Sequence, residues 1–482
     1  MDVLFGSMQR IGLRATWLIA GLLSAVVPAL WMWGFTVDDA LISVRYAQHL
    51  AAGLGWRFDV GGPSTDGVTP LPWPLLLAPL AKGTGLQVLL RAKVLGLLAW
   101  GATGAALGSA AGRVANAPAW ARAGALLTLA LSVPVAAHAV SGMETAVATS
   151  LATFAVLLAR RPLVASVLAG LAASLRPEMA PWAFVLAVGV AFTRGKRSSA
   201  PAFGLLALLP FACCALVRTI VWGHPAPLAV MAKPSDLAHG LSYAGAASVV
   251  ALTPILVLAP LAMRRAPLAL AIVTAAIAHL CAVIVVGGDW MPYGRLLVPV
   301  APSLVWASML IAEHADRRAT GARIALAVPL GLLLIARGGA DGRSVGADRV
   351  ALVEYAAPRL AGLRYIASLD VGWVGAATDA DILDLAGVTD PRVAALPGGH
   401  TSKRIDATFL LDLQPDALLL FLPVGLPDGD LDAWPWATYQ RVVEYRLAID
   451  PVVQKHFAPA AWLPLGAKGA GYVLLRSRAV TD

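Results

Sequence analysis

Long apolar runs alternate with short polar connections through residues 1–338 of the chain. An α-helix of about twenty apolar residues can cross the hydrocarbon core of a bilayer. The alternation therefore predicts a polytopic α-helical membrane protein with about eleven spans. The predicted spans lie near residues 15–35, 92–112, 119–140, 143–159, 162–176, 178–193, 200–221, 242–262, 267–287, 295–312 and 323–338.

The apolar segment 71–81 is left out of these spans because roughly a dozen residues are too few to cross a bilayer. Counting it as a span would also place the Arg160-Arg161 pair on the outer side. We therefore expect residues 71–81 to lie at the interface or to re-enter the membrane. Residues 36–91 then form one large first outer loop.

The charges of the connections separate onto the two predicted sides of the membrane. Connections rich in arginine alternate with connections that carry acids. The first group is Arg160-Arg161, Arg194-Gly195-Lys196-Arg197, Arg264-Arg265 and Arg317-Arg318; the second group holds Glu144, Glu178, Asp236 and Asp289. The positive-inside rule places the arginine-rich group and the N-terminus in the cytoplasm, and the C-terminus outside.

Composition excludes an ordinary soluble enzyme, because 59% of the 482 residues are hydrophobic and only 13% are charged. The formal net charge of +9 suggests nucleic acid at first sight. The basic residues, however, cluster between apolar runs, as positive-inside loops do, so we expect no nucleic-acid partner. Three cysteines, two of them adjacent, imply no disulfide framework.

The pattern changes after residue 338, where long apolar runs end and aspartate becomes frequent. Short β-like runs alternate with helix-like stretches and turns rich in glycine and proline, which predicts a small extracytoplasmic α/β domain at residues 339–482. The predicted strands are Tyr365–Leu369, Ile382–Leu385, Ala417–Leu422 and Tyr472–Arg476, and the predicted helices are Val350–Leu363 and Lys403–Leu413. The glycine-rich residues 337–342 are the expected connection to the transmembrane domain, residues 1–338.

The first outer loop begins with TVDDALISVRYAQHL at residues 36–50, which predicts an amphipathic interfacial helix. Residues three and four apart share a helix face, so two neighbouring polar stripes form. One stripe is Asp38, Ile42, Arg45 and His49, and the other is Asp39, Ser43 and Tyr46. The opposite face, which includes Leu41, Val44 and Ala47, is expected to lie on the membrane surface.

Asp38 and Asp39 are candidates for a general base, because the helix macrodipole and the nearby Arg45 both favour an ionised carboxylate. The alternative is a purely structural role in starting the helix. Thr36 and Asp39 have the spacing of a capping box, whereas Asp38 is not needed for capping. This difference favours Asp38 as the base.

Six segments of the chain carry a resemblance to a known family. TVDDALISVRYAQHLAAGLGWRFDVGG is followed by TDGVTPLPWP, SGMETA at 141–146, LRPE at 175–178 and GGDWMPYGRLLVP at 287–299. This order, with SLDVGWVGAATDADILDLAGVTDP at 368–391, resembles GT-C fold glycosyltransferases. The likeness is to terminal cell-wall arabinofuranosyltransferases and related bacterial membrane enzymes. The run TDGVTPLPWP departs from their pattern.

The resemblance implies an inverting transferase in the bacterial cytoplasmic membrane. A sugar, arabinofuranose by resemblance only, would pass from polyprenyl phosphate to a glycan or lipid-linked acceptor at the outer face. A first-loop aspartate, Asp38 or Asp39, would take the acceptor proton. Cations would stabilise the leaving phosphate; the candidates are Arg45, Arg176, Lys233, Arg295 and His224. The alternative for each cation is snorkelling to the interface.

Sugar or acceptor contacts are expected from a further group of polar and aromatic residues. They are Tyr46, His49, Glu144, Glu178, Asp289, Trp290 and Tyr293. The alternative for Glu144, Glu178 and Asp289 is that they orient the cations, and Asp289 with Arg295 is the preferred pair. Aromatic residues at an interface can equally be membrane anchors. The scattered acids and histidines lack metal-ligand spacing, so no metal ligand is assigned, although some GT-C enzymes use a divalent cation.

Two other functional classes stay open. One is a transporter or flippase of lipid-linked sugars, whose folds often show internal repeats and broken helices. The charged residues of this chain gather at one predicted face, which favours chemistry at the membrane surface. The other is a membrane-anchored binding protein, for which a single span would be enough.

Overall fold

The structure is a computed structural model that describes residues 2–114, 116–233, 235–251, 260–467 and 469–478. The chain divides into two compact units, each built from three separate segments. Unit 1 comprises Met1–Thr36, Ala92–Cys214 and Ser235–Arg343. Unit 2 comprises Val37–Arg91, Ala215–Pro234 and Ser344–Asp482. Residues 37–91, nearly all of the predicted first outer loop, therefore belong to the same compact unit as residues 344–482.

Helices dominate the described residues. The α-helices are α1 Asp2–Trp31, α2 Asp38–Ala51, α3 Pro72–Leu77, α4 Gly85–Ala111, α5 Ala119–Ala130, α6 Val133–Ala139, α7 Thr145–Leu157, α8 Pro162–Leu175, α9 Ala180–Thr193, α10 Ala200–Trp222, α11 Leu228–Met231, α12 Leu237–Ala251, α13 Pro267–Val285, α14 Ala301–Ala312, α15 Arg317–Leu360, α16 Val371–Ala377, α17 Pro391–Ala394, α18 Ala407–Asp412, α19 Val442–Ile449 and α20 Pro451–His456. Short 3₁₀ helices occupy Ala78–Leu80, Pro177–Met179, Pro260–Arg265, Pro292–Val300, Pro427–Gly429 and Leu431–Trp436. The strands are β1 Tyr365–Ser368, β2 Asp381–Asp384, β3 Ala417–Leu422, β4 Phe457–Pro464 and β5 Gly471–Ser477.

Six helices in the described part of the chain are long and apolar enough to cross a membrane. They are Arg14–Trp31, Gly85–Ala111, Ala200–Trp222, Pro267–Val285, Pro292–Ala312 and Arg317–Leu360. A seventh span results if α5 and α6, which meet at a 60° bend, count as one. Thr145–Leu157, Pro162–Leu175 and Pro177–Thr193 are shorter apolar helices. Eleven spans thus remain a prediction. The predicted span 242–262 begins within α12, and its residues 252–259 lie outside the described residues.

Unit 2 contains a five-stranded sheet with the order β2-β1-β3-β5-β4. Strand β1 pairs in parallel with β2 and β3, while β5 pairs antiparallel with β3 and β4. The four predicted strands are confirmed, and they belong to this small C-terminal sheet. Strand β4 was not predicted, because Pro459 and Pro464 argue against a central strand. It lies at the edge of the sheet, where proline is tolerated, and its register shifts between Pro459 and Ala461.

The glycine-rich residues 337–342, expected as the connection between the domains, are helical and lie within α15. The two compact units divide just after them, between Arg343 and Ser344. Glycine serves close packing here. A Cβ on Gly339 would collide with the Trp31 ring, and one on Gly342 would collide with the Tyr293 hydroxyl. Small residues at such positions let neighbouring groups approach a helix backbone closely.

Helix α2, which carries the aspartate pair, does not present an apolar face to a membrane surface as predicted. Leu41, Val44 and Ala47 are all buried, as is every residue from Ala40 to Ala47. Within unit 2, α2 packs against α16 and α3. Burial by neighbouring protein elements, rather than lipid, therefore accounts for the apolar side of α2.

Candidate functional site

The Asp38 carboxylate is held in place by the start of α16. Its Oδ2 accepts the backbone N–H of Gly372 at 2.8 Å, and its Oδ1 accepts that of Trp373 at 3.0 Å. The first N–H groups of a helix lack intrahelical partners, so a carboxylate satisfies them well. The Arg349 guanidinium lies 3.4 Å from Oδ1. Burial raises the pKa of Asp38, and Arg349 counteracts part of this rise.

Asp39 does not take the capping role that its spacing from Thr36 left open as the alternative to a general base. The helix begins at Asp38 with Val37 as its N-cap, and no side chain caps it. The Thr36 hydroxyl instead donates to the Ser141 carbonyl oxygen within unit 1, at 3.0 Å. The Asp39 carboxylate is partly exposed and has no hydrogen-bond or ion-pair partner among the residues that the structure describes. Of the two adjacent carboxylates, Asp39 is thus the unengaged one.

A buried group of charges surrounds Asp370 in unit 2. Its Oδ2 lies 2.7 Å from Arg441 Nη1 and accepts the Tyr472 hydroxyl at 2.6 Å. Burial opposes ionisation of Asp370, but Arg441 and Tyr472 outweigh it, so the pKa is lowered. Arg441 also lies 3.4 Å from Glu444, whose pKa burial raises to about 7. Sequence reasoning missed this group, because its members are far apart along the chain.

Arg45 was expected to bind the donor phosphate, but all five of its N–H groups are occupied within unit 2. Four of the bonds go to backbone carbonyl oxygens, at distances of 2.8 to 3.2 Å. These oxygens belong to Phe58, Gly375, Thr378 and Ala380. The fifth reaches Asp59 at 3.5 Å. The guanidinium is buried and all its N–H groups are used, so Arg45 links residues 58–59 to residues 375–380 and has no donor left for a phosphate.

Tyr46 and His49, expected to contact sugar, are also engaged by the protein. The buried Tyr46 hydroxyl lies 2.7 Å from Thr65 Oγ1 and accepts the Gly67 N–H at 3.0 Å. The half-buried His49 places Nδ1 2.9 Å from the Arg57 carbonyl oxygen. A hydroxyl that already makes two hydrogen bonds has little capacity for a ligand. The geometry therefore favours a structural role for Tyr46.

The sequence missed a buried ion pair between Asp66 and Arg218. Arg218 Nε lies 2.6 Å from Asp66 Oδ2, and Nη2 donates to the Thr69 carbonyl oxygen at 2.7 Å. Arg218 lies inside the predicted span 200–221, whose other residues are mostly apolar, so the sequence pattern did not single out this one charged residue. The expected phosphate ligands His224 and Lys233 are half-buried in the same unit. His224 places Nδ1 2.6 Å from the Ala226 carbonyl oxygen.

Unit 1 brings together Glu144, Arg176 and Glu178, from the SGMETA and LRPE segments. Arg176 Nη1 lies 2.8 Å from Glu144 Oε1, and Nη2 lies 2.6 Å from Glu178 Oε1. Arg176 Nε also donates to Glu178 Oε1, at 2.7 Å. All three side chains are buried, so removal of one partner would leave an uncompensated charge. Glu144 and Glu178 therefore orient Arg176, which is the second of the two roles that the sequence left open for them.

The GGDWMPYGR segment supplies a second ion pair in unit 1. Arg295 Nε donates to Asp289 Oδ2 at 2.7 Å, as the sequence pairing predicted. Nη1 of Arg295 meets only the Met143 sulfur, at 3.4 Å, and Nη2 makes no hydrogen bond with the described residues. A thioether is a weak acceptor. Arg295 therefore keeps donor capacity that Arg45 and Arg176 lack.

The aromatic residues of the same segment differ in exposure. Trp290 is 68% exposed and stacks on His239 with ring centroids 4.3 Å apart. The Tyr293 hydroxyl donates to the Gly338 carbonyl oxygen at 2.6 Å, and its backbone has a φ of 63°. Trp290 is thus largely exposed but already stacked on His239, and the Tyr293 hydroxyl is bonded within unit 1.

The described residues contain no group of three or more His, Cys, Asp or Glu side chains that could hold a metal ion. Comparison with models of known protein families, with curated proteins and with solved structures found no match.

Proposed function

We propose that the chain is an inverting GT-C type glycosyltransferase of the bacterial cytoplasmic membrane. It would move a sugar from polyprenyl phosphate to a glycan or lipid-linked acceptor at the outer face, and arabinofuranose is the sugar that the sequence resemblance favours. One observation carries the proposal. In the first outer loop, an unengaged carboxylate, Asp39, adjoins a carboxylate that the protein holds rigidly, Asp38.

Asp39 is the proposed general base. The acceptor hydroxyl oxygen attacks the anomeric carbon as Asp39 takes the hydroxyl proton. The bond from that carbon to the phosphate oxygen breaks on the opposite side, its electron pair leaves with the phosphate, and the configuration inverts. Asp38 would position this step by fixing the first turn of α2 through Gly372 and Trp373. The sequence pattern favoured Asp38 as the base, and this assignment reverses that preference.

Arg295 is the proposed cationic contact for the donor phosphate in unit 1. Its Asp289 partner orients the guanidinium through Nε, and the two terminal nitrogens lack a strong acceptor. A planar guanidinium suits the two oxygens of a phosphate. Lys233 in unit 2 is a second candidate, because its ammonium has no hydrogen-bond partner among the described residues.

The apolar helices support a membrane location and a lipid-linked donor. At least six of them could span a bilayer, and a polyprenyl chain would dissolve in the same medium. The eleven-span topology, with the C-terminal domain outside, belongs to the proposal.

The test is release of polyprenyl phosphate from a labelled polyprenyl-phosphate sugar by the purified chain with a glycan acceptor. We expect Asp39→Asn to lower kcat by about a hundredfold or more, without changing the thermal unfolding midpoint. Asp38→Asn should lower both kcat and the unfolding midpoint, because an amide nitrogen cannot accept a backbone N–H. The exposed Asp432→Asn is the matched control. Unchanged turnover in Asp39→Asn would refute the base assignment, and no turnover with any donor would refute the transferase.

A flippase of lipid-linked sugars is the second candidate, favoured by the 60° bend between α5 and α6. Broken helices occur in transporters near their binding sites. Reconstituted vesicles distinguish the two functions. A flippase would move the labelled lipid between leaflets without acceptor and without release of polyprenyl phosphate.

A further inference from the structure

Unit 2 contains an open cavity of about 550 Å³ that the proposed chemistry does not use. Binding clefts for small molecules have volumes of roughly 300–1,000 Å³. Its walls come from the first outer loop, from the end of α15 and from the segment between α16 and β2. The residues that line the cavity include Val60, Gly61, Ala361, Arg364, Asp379 and Asp381.

The saturated guanidinium of Arg45 holds the walls of this cavity in place. It bonds to Phe58 and Asp59, just before the wall residues Val60 and Gly61. It also bonds to the carbonyl oxygens of Thr378 and Ala380, which belong to another wall. The Gly61 N–H donates to Asp381 Oδ1 at 3.3 Å, which joins the two walls directly. Most of the cavity is thus formed before any ligand arrives.

The lining favours an uncharged ligand with many hydroxyl groups. The exposed Asp379 carboxylate has no hydrogen-bond partner among the described residues, and Asp381 uses one oxygen for Gly61. These carboxylates can accept hydroxyl groups, the exposed Arg364 can donate to them, and the alanines offer apolar contact for C–H groups. A divalent cation is a poorer fit, because no metal-binding group of three ligands exists among the described side chains.

Helix α2 carries both the proposed base, Asp39, and Arg45, which bonds to the cavity walls. Arg45 lies six residues after Asp39 in α2, which corresponds to about 9 Å along the helix axis. A sugar in the cavity would therefore lie at a distance from the reacting hydroxyl. We propose that the cavity binds a distal part of an oligosaccharide acceptor, an inference that rests on the proposed transferase function.

The test is equilibrium binding of a synthetic arabinofuranosyl trisaccharide to the full-length chain in detergent, followed by ligand-observed NMR. Ala361→Trp fills the cavity from an exposed wall position and should weaken binding at least tenfold. Asp379→Asn removes a charged acceptor and should weaken binding by about tenfold, the equivalent of roughly 1.4 kcal/mol. Ala395→Trp adds the same ring at an exposed alanine outside the cavity and should leave binding unchanged.

Turnover measurements separate this inference from the proposed function. With the trisaccharide as acceptor, both cavity variants should raise KM while kcat stays within about twofold of the wild type. Wild-type turnover with equal binding by all variants would refute the cavity assignment and leave the transferase standing. If the wild type showed no turnover but still bound the trisaccharide, and the cavity variants weakened that binding, the transferase would be refuted and the glycan-binding cavity would stand. Binding that Ca²⁺ alone displaces would identify a cation site and overturn the inference.

Discussion

Asp38 Oδ2 and the backbone N–H of Gly372 form a hydrogen bond of 2.8 Å across 334 positions of sequence. This contact joins the first turns of α2 and α16 within unit 2. It commits one member of the aspartate pair to structure, and Asp39 is left as the carboxylate that can accept a proton. The division of roles between two adjacent aspartates follows from a helix that lies more than 300 residues away.

Gly372→Ala should disrupt this contact. A Cβ at Gly372 would lie 2.7 Å from Asp38 Oδ2 and would collide with the Asp38 carbonyl oxygen. Overpacking of this kind costs about 1–3 kcal/mol. We expect a lower unfolding midpoint and reduced transferase turnover. Gly245→Ala, at an exposed helical position with open space around it, should be neutral or slightly stabilising. If the Gly372→Ala protein had wild-type stability, the hydrogen bond between Asp38 and the Gly372 N–H would not be the structural contact proposed here.

Arg45→Met should destabilise the protein strongly, by about 3 kcal/mol or more, because it leaves the partly buried Asp59 without its cation and four carbonyl oxygens without a donor. Thermal unfolding of the purified chain measures this effect. The exposed Arg404→Met serves as the control. If Arg45 were a phosphate ligand instead, the variant would stay folded and only the KM for the lipid donor would rise.

Arg295→Gln should lower kcat/KM for the lipid-linked donor by about a hundredfold, the usual scale for loss of a charge-stabilising group. Arg295→Lys should recover only part of this loss, because an ammonium cannot reproduce a bidentate contact. Donor-concentration series at saturating acceptor give both values. Exposed Arg113→Gln is the matched control in unit 1. Equal donor kinetics for wild type and Arg295→Gln would remove the phosphate assignment.

Glu444→Gln should change how stability depends on pH. Burial raises the pKa of Glu444 from its usual 4.5 to about 7, so folding favours the protonated form. The stabilisation linked to this proton is complete below pH 4.5 and is lost as pH rises through about 7. Glutamine stays neutral and can still accept the Phe421 N–H.

The variant should therefore gain stability relative to wild type between pH 5 and pH 8, by up to about 3 kcal/mol. Unfolding midpoints of both proteins across this range provide the measurement. Subtracting the wild-type curve removes the titration of other buried acids, such as Asp59 and Asp384. A difference that is constant with pH would show that Glu444 is ionised throughout.

Cysteine labelling should test the membrane topology. In a background without Cys213, Cys214 and Cys281, we expect Arg404→Cys to react with an impermeant maleimide on intact cells. Lys196→Cys should react only after permeabilisation. Both positions are exposed. The reverse pattern would place unit 2 in the cytoplasm and remove chemistry at the outer face.

Hydropathy and the spacing of hydrophobic residues along the chain predicted a membrane region rich in apolar helices, followed by an α/β domain. They also placed four of the five strands. The failures have physical causes. The glycines of residues 337–342 suggested a break, but in α15 they make room for Trp31 and Tyr293. Strand β4 was missed because proline disfavours strands except at a sheet edge, and the edge position is a property of the sheet, not of the segment.

The sequence by itself determined that two adjacent carboxylates, Asp38 and Asp39, follow an apolar run and begin a helix. Such features depend on neighbouring residues only. Only the tertiary structure decided which of these side chains are already bonded. The backbone N–H groups of Gly372 and Trp373 donate to the Asp38 carboxylate, and five hydrogen bonds use every N–H group of Arg45. Arg295, in contrast, keeps N–H groups without a strong acceptor among the described residues. These properties depend on which hydrogen-bond partners the fold brings to each side chain, and those partners come from distant parts of the chain.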